Sequence, residues 1–130
     1  MSGFSDYLED KVLEHVFGGN AFTAPTTLYA ALYTVAPSDT GGGTEVSGGG
    51  YARQTSTFTV SGTNPTEATN ASAIEYPEAT ANYGTVVAVG VFDALTSGNL
   101  LAYSTLTASK TIDSGDVFRI NAGNLDITLA

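Results

Sequence analysis

The sequence predicts a mainly β fold, a β-sandwich or jelly-roll-like single domain over residues 1–130 with one N-terminal α-helix. Three observations predict it. Only 13% of residues are charged while 42% are apolar, with seven Tyr and six Phe, a composition that favours a buried core over disorder. From Thr26 onward, short β-branched and aromatic runs alternate with turn residues, the punctuation of a sheet protein. The stretch with helical periodicity lies at the start, where Leu8, Val12, Leu13, Val16 and Phe17 recur on one face.

That stretch predicts a helix over about residues 5–17. Ser5 or Asp6 can cap it. Asp6, Glu9 and Asp10 place negative charge beside the unpaired N–H groups of the first turn, and Gly18-Gly19 can supply a left-handed turn at the end. A helix of this length is marginal alone in water, so its apolar face needs either the rest of the domain or a partner.

At least six strands are expected after it. Residues 26–34 alternate Leu28, Ala30 and Leu32 with Tyr29, Ala31 and Tyr33, so both faces should be covered. The glycine-rich stretch 38–50 reads as an exposed, flexible or turn-rich loop that orders against a neighbouring subunit. Residues 51–60 read as a strand with Phe58 and Val60 on one face and Thr55, Thr57 and Thr59 on a wet one. A polar loop is expected over 61–69, then a short strand at 73–76 ended by Pro77. Residues 84–93 form a strong strand with Val87, Val89 and Val91 on one face, paired through the turn 94–99 with a strand at 100–106. A further hairpin is expected between 111–112 and 117–120, and a last strand at 125–129.

Charge narrows the function. Thirteen acidic residues face four basic ones, Lys11, Arg53, Lys110 and Arg119, for a net charge of -9, which leaves no cationic surface for phosphates or anionic lipid. Neither nucleic acid nor membrane is an expected partner. The first residues have no positive n-region or apolar h-region, and no apolar run approaches spanning length. The absence of cysteine removes disulfides, thiolate metal sites and cysteine nucleophiles.

Constellations for catalysis are equally sparse. His15 is the single histidine, it lies on the helix, and no Gly-x-Ser-x-Gly elbow accompanies it. The glycine run ends in Gly50-Tyr51, where a phosphate loop would end in Lys-Ser or Lys-Thr. Nothing selects a glycosidase carboxylate pair among the acids. Tyr83 and Tyr103 are candidates for a sugar-binding face, with packing the preferred reading. Asp113 and Asp116, or Asp39 with Glu45, offer hard oxygens without the spacing of a calcium loop, and 113–116 reads as a turn. The expectation is no enzyme, no catalytic residue, no cofactor and no metal.

For protein contacts, Tyr51 and Arg53 come first, together with Glu45, because an aromatic beside a planar cation after a mobile loop is a common interface composition. A second reading stands beside it, in which Tyr51 packs in the sheet and Arg53 pairs with a nearby acid. Phe4, Tyr7 and Phe17 form a second set, for which internal packing is preferred.

Taken in order, the segments Ser5-Asp6-Tyr7-Leu8-Glu9, Thr26 through Thr34, Gly43 through Gln54, Gly84-Thr85-Val86, Gly90-Val91-Phe92-Asp93-Ala94 and Gly98 through Tyr103 resemble a family of small virion proteins of tailed bacteriophages, labelled tail fibre-like or head decoration proteins. Gly43 through Gln54 is the most specific part. Tyr83 stands where that family leads one to expect tryptophan, a conservative change for packing. The resemblance implies a virion structural protein without catalytic residues, assembled in the host cytoplasm, whose partners are the major capsid protein or other virion proteins. With no heptad run and no long stem, the chain suggests a capsid decoration (cement) protein forming a homo-oligomer, a trimer by preference. The alternative is a tail fibre or baseplate accessory protein that contacts host surface glycans.

Overall fold

The computed structural model describes residues 2–129, of which most regular structure is strand, 44% against 9% helix. In chain order come β1 (Ser2–Phe4), α1 (Asp6–Val16), β2 (Leu28–Val35), β3 (Thr44–Glu45), β4 (Gln54–Ser56), β5 (Phe58–Ser61), β6 (Thr66–Asn70), β7 (Ile74–Glu75), β8 (Gly84–Phe92), β9 (Leu100–Ile112), β10 (Arg119–Ile120) and β11 (Asp126–Leu129). The central sheet runs β1-β9-β8-β2-β3, with β4 also paired to β2; β11-β6-β5 form a second sheet and β10-β7 a third. All pairings between these strands are antiparallel.

Side-chain alternation places the core. Ala30 and Leu32 of β2 join Val86, Val89 and Val91 of β8, and they meet Ile74, Tyr76, Phe118, Ile120, Leu125 and Ile127 from around the two small sheets. One core is therefore shared by all three sheets, and each fully buried aliphatic side chain in it contributes about 1.5–3 kcal/mol. The opposite face of β2 is covered as its sequence predicts: Ala31 and Tyr33 pack with Ala88, Phe92 and Leu100.

Helix α1 matches its expected span closely. The Ser5 hydroxyl accepts the Leu8 N–H at 3.2 Å and itself donates to the Leu100 carbonyl, so the cap also fastens the helix to β9. Phe17 and Gly18 close the last turn on the Leu13 carbonyl, and Gly19 takes φ 74°, the left-handed conformation open to glycine. No residue of α1 is buried; Leu13 is 58%, Val16 61% and Phe17, just beyond it, 82% exposed.

Several expectations are corrected by long-range pairing. The hairpin between 111–112 and 117–120 does not form: Thr111 and Ile112 end the long β9 opposite Thr85 and Gly84, while β10 pairs with β7. The polar stretch 61–69 contains most of β6, because its backbone is captured between β5 and β11. Residues 51–60 break at Thr57 into two strands of different sheets, and Val60 is left 69% exposed on β5. Val87 leaves the face of Val89 and packs on the opposite cluster, because a bulge shifts the register: Val86 faces Lys110 while Ala88 faces Thr105.

Asn70, 2% exposed, ties the second sheet to the rest. Its amide donates to the carbonyls of Ser72 (2.9 Å) and Asn121 (3.0 Å) and accepts the Leu125 N–H (2.9 Å). Asn70→Ala leaves these buried backbone groups unpaired, and urea unfolding should show a loss of at least about 2 kcal/mol.

Candidate functional site

The glycine-rich segment and the β8–β9 turn converge on Arg53, the residue before β4. Arg53 is 9% exposed. Its guanidinium holds the Glu45 carboxylate in a two-pronged pair, Nε to Oε2 and Nη2 to Oε1, both 2.9 Å, and Nη1 donates to the carbonyls of Ala94 (2.9 Å) and Ser97 (2.8 Å). Four of its five N–H donors are thus engaged. Its guanidinium carbon rests 3.7 Å from the centre of the Phe92 ring, a cation–π contact to which the planar guanidinium adds stacking that lysine's ammonium lacks.

Tyr51 completes the node. Its hydroxyl donates to Glu45 Oε2 at 2.7 Å and accepts the Leu32 N–H at 2.9 Å, while its ring stacks on Tyr76 and meets Tyr83 edge-on. Burial pulls the Glu45 pKa upward, but hydrogen bonds from Arg53 and Tyr51 outweigh it and hold the carboxyl below its ordinary value. Burial, reinforced by Glu45, raises the Tyr51 phenol, so it stays an O–H donor.

The glycine-rich segment is turn-rich as expected, and parts of it bond to its own chain. The Val46 N–H bonds Leu32 and the Thr80 N–H bonds the Gly49 carbonyl, both at 2.9 Å. Gly43 has φ 73°, and a Cβ there would stand 2.5 Å from the Val35 carbonyl oxygen, so no other residue fits this approach.

Next to this node, around the Phe92 ring on which Arg53 rests, lies a second grouping that the residue pattern alone does not single out. Gly90 is its floor: a Cβ would stand 2.8 Å from Tyr33 Cε1 and 3.0 Å from Leu100 Cδ1. Tyr33 and Phe92 stack there with ring centres 6.5 Å apart. Above them a cavity of about 430 Å³ opens between the start of α1, the segment 39–42 and the β8–β9 turn, with Asp6, Asp39, Thr40 and Asn99 among its lining. Asp39 accepts the Asp6 N–H on its carbonyl (2.8 Å) and the Tyr103 hydroxyl on its carboxylate (2.6 Å). Asn99 is held by Asp93, which accepts both its N–H (2.7 Å) and its Nδ2 (3.0 Å). The alternating runs containing Tyr33 and Phe92 were visible in the sequence; their meeting over Gly90 depends on the β2–β8 pairing.

The remaining candidates scatter. Phe4 is half-buried against the main core, Tyr7 is half-buried on α1 with Lys11 over its ring at 5.7 Å, and Phe17 is exposed. His15 is exposed and accepts the Phe22 N–H on Nδ1 at 3.1 Å. Tyr83 belongs to the main core and Tyr103 to the opposite cluster, so the two make no common face. Asp116 accepts the Asp113 N–H at 2.9 Å, a turn closed by side chain to backbone. Among the described residues no group of three or more His, Cys, Asp or Glu side chains is placed to hold a metal ion, and no helix is long and apolar enough to cross a membrane.

The mainly β fold comes with a match to a family of bacteriophage virion structural proteins, fibre-like in kind. Residues 3–128 match the family described as Podophage GP4 fiber I protein gp80, and the chain belongs to that family. No curated protein matches it.

Removing Arg53 strips the partner from a largely buried carboxylate and frees two carbonyls. Arg53→Ala should cost about 3 kcal/mol in chemical unfolding, the low end for a buried pair because Glu45 keeps 27% of its side chain exposed. The depressed Glu45 pKa adds stability that is complete above the unfolded value of 4.5 and is lost as pH falls through the lower folded value. Glu45→Gln should therefore lower stability at neutral pH and flatten the acid limb of a stability–pH curve below that value.

Proposed function

We propose that this chain is a non-catalytic component of a virion fibre, docked to another virion protein through the outer half of α1 and reaching host surface glycans with another part of its surface. The observation that carries the docking is the exposure of Leu13, Val16 and Phe17 on a helix whose other end is fixed by the Ser5 cap and the Asp6 to Asp39 bond. Exposed apolar residues clustered this way mark an interaction site. Asp10 and Glu14 lie on the same helix, so a partner surface that is apolar and rimmed by basic residues fits it, and a second copy of the same face does not. Copies of the chain associate by other surfaces, as a cyclic homo-oligomer of which a trimer is the simplest along a fibre axis.

The family description favours the fibre over capsid decoration, the first expectation from a sequence with no heptad run and no long stem. The absence of a stem or heptad run describes this chain alone, and a fibre assembled from several proteins needs neither in each of them.

Replacing Leu13, Val16 and Phe17 by serine should change the stability of the isolated protein by no more than about 0.5 kcal/mol per site, since none is buried, while the protein drops out of purified virions. Immunogold labelling or a cryo-EM map of particles should place the wild-type chain on the fibre; density only on the outer capsid would overturn the reading.

A further inference from the structure

We propose that the cavity over Gly90 is a binding site for a neutral saccharide, held by the carboxylates of Asp6 and Asp39 and by the hydroxyl of Tyr33 against an apolar wall of Phe92 and Leu100. This rests on the fibre reading above and gives its glycan contact a location. Tyr33 is 4% exposed and lines the cavity, yet its hydroxyl bonds to none of the described residues. The ring forms part of the cavity wall, so a ligand seated there would meet Tyr33. Burial, with Glu45 adding and Arg53 opposing, pushes its pKa up to about 12, so it presents a proton at neutral pH.

The lining selects the ligand class. Two carboxylates repel an anion, even one drawn to the start of a helix, and they accept hydrogen bonds from adjacent hydroxyl groups. One oxygen of Asp39 is already pinned by Tyr103, which fixes the orientation of the other. Phe92 and Leu100 supply the apolar side against which a sugar ring's C–H face packs. A volume of about 430 Å³ lies in the range of small-ligand sites. The walls are also fixed: the missing Cβ of Gly90 lets Tyr33, Leu100 and Phe92 close together, while Asp93 pins Asn99 at the rim.

Ligand-detected NMR on the full chain, titrated with glucose, galactose and mannose and with glucosamine and galacturonate as charged probes, tests this. At least one neutral hexose should bind. Tyr33→Phe should weaken it about tenfold, as should Asp39→Asn, while Asp113→Asn in a distant turn leaves it unchanged. Thr40→Val on the exposed rim serves as a further variant if Tyr33→Phe fails to fold, and it should weaken binding measurably. Binding by none of the neutral hexoses, binding by glucosamine alone, or binding indifferent to these substitutions would overturn the site. A chain located on the fibre that ignores every hexose would overturn this site and leave the fibre reading intact; hexose binding by a chain found only on the capsid would support the site and overturn that reading.

Discussion

A single buried cation organises the loops at one end of the central sheet. Arg53 lies where two irregular segments would otherwise move independently, and its planar guanidinium joins both: Glu45 on one side, the Ala94 and Ser97 carbonyls on the other, with Phe92 beneath. Burying such a charge is costly unless every side of it is matched, and here hydrogen bonds, an opposite charge and an aromatic face all meet it. With only four basic residues in the chain, placing one of them inside makes it a structural element and leaves the outer surface acidic.

The consequence reaches the neighbouring cavity, which shares Phe92 with this node. The segment held through Glu45 follows directly on Asp39, Thr40 and the first glycines, and the turn held through Ala94 and Ser97 carries Gly98 and Asn99. These are the two flanks of the cavity, and its third flank is the start of α1, tied in by the Asp6 to Asp39 bond. The outer half of α1 escapes this network. It is carried on a fixed base with its apolar side chains in solvent, an arrangement suited to engagement by another virion protein.

The mainly β fold, the Ser5-capped helix and the 84–93 to 100–106 hairpin were legible in the sequence because each depends on contacts among near neighbours. What was not legible depends on distant partners. Thr66 to Asn70 is polar and carries no strand signal of its own; β5 and β11 impose extended backbone on it. Val87 changes face through a bulge that residue types do not announce. The two readings held open for Arg53 and Tyr51 called for the same residue types, and only the position of Glu45 beneath them shows that they are engaged inside the chain. Tyr33, Asp39 and Asn99 went unnoticed as a group because 60 or more residues separate the last from the first two while pairing of β2, β8 and β9 brings them together.

The central claim, that one guanidinium holds both flanks, is tested most directly by amide hydrogen exchange on an Arg53→Lys protein. Lysine keeps the charge but cannot bridge Glu45 and two carbonyls at once. Amides in 41–50 and 94–99 should lose protection together while β8 and β9 keep theirs. Loss confined to one of the two segments, or no loss in either, would contradict the account.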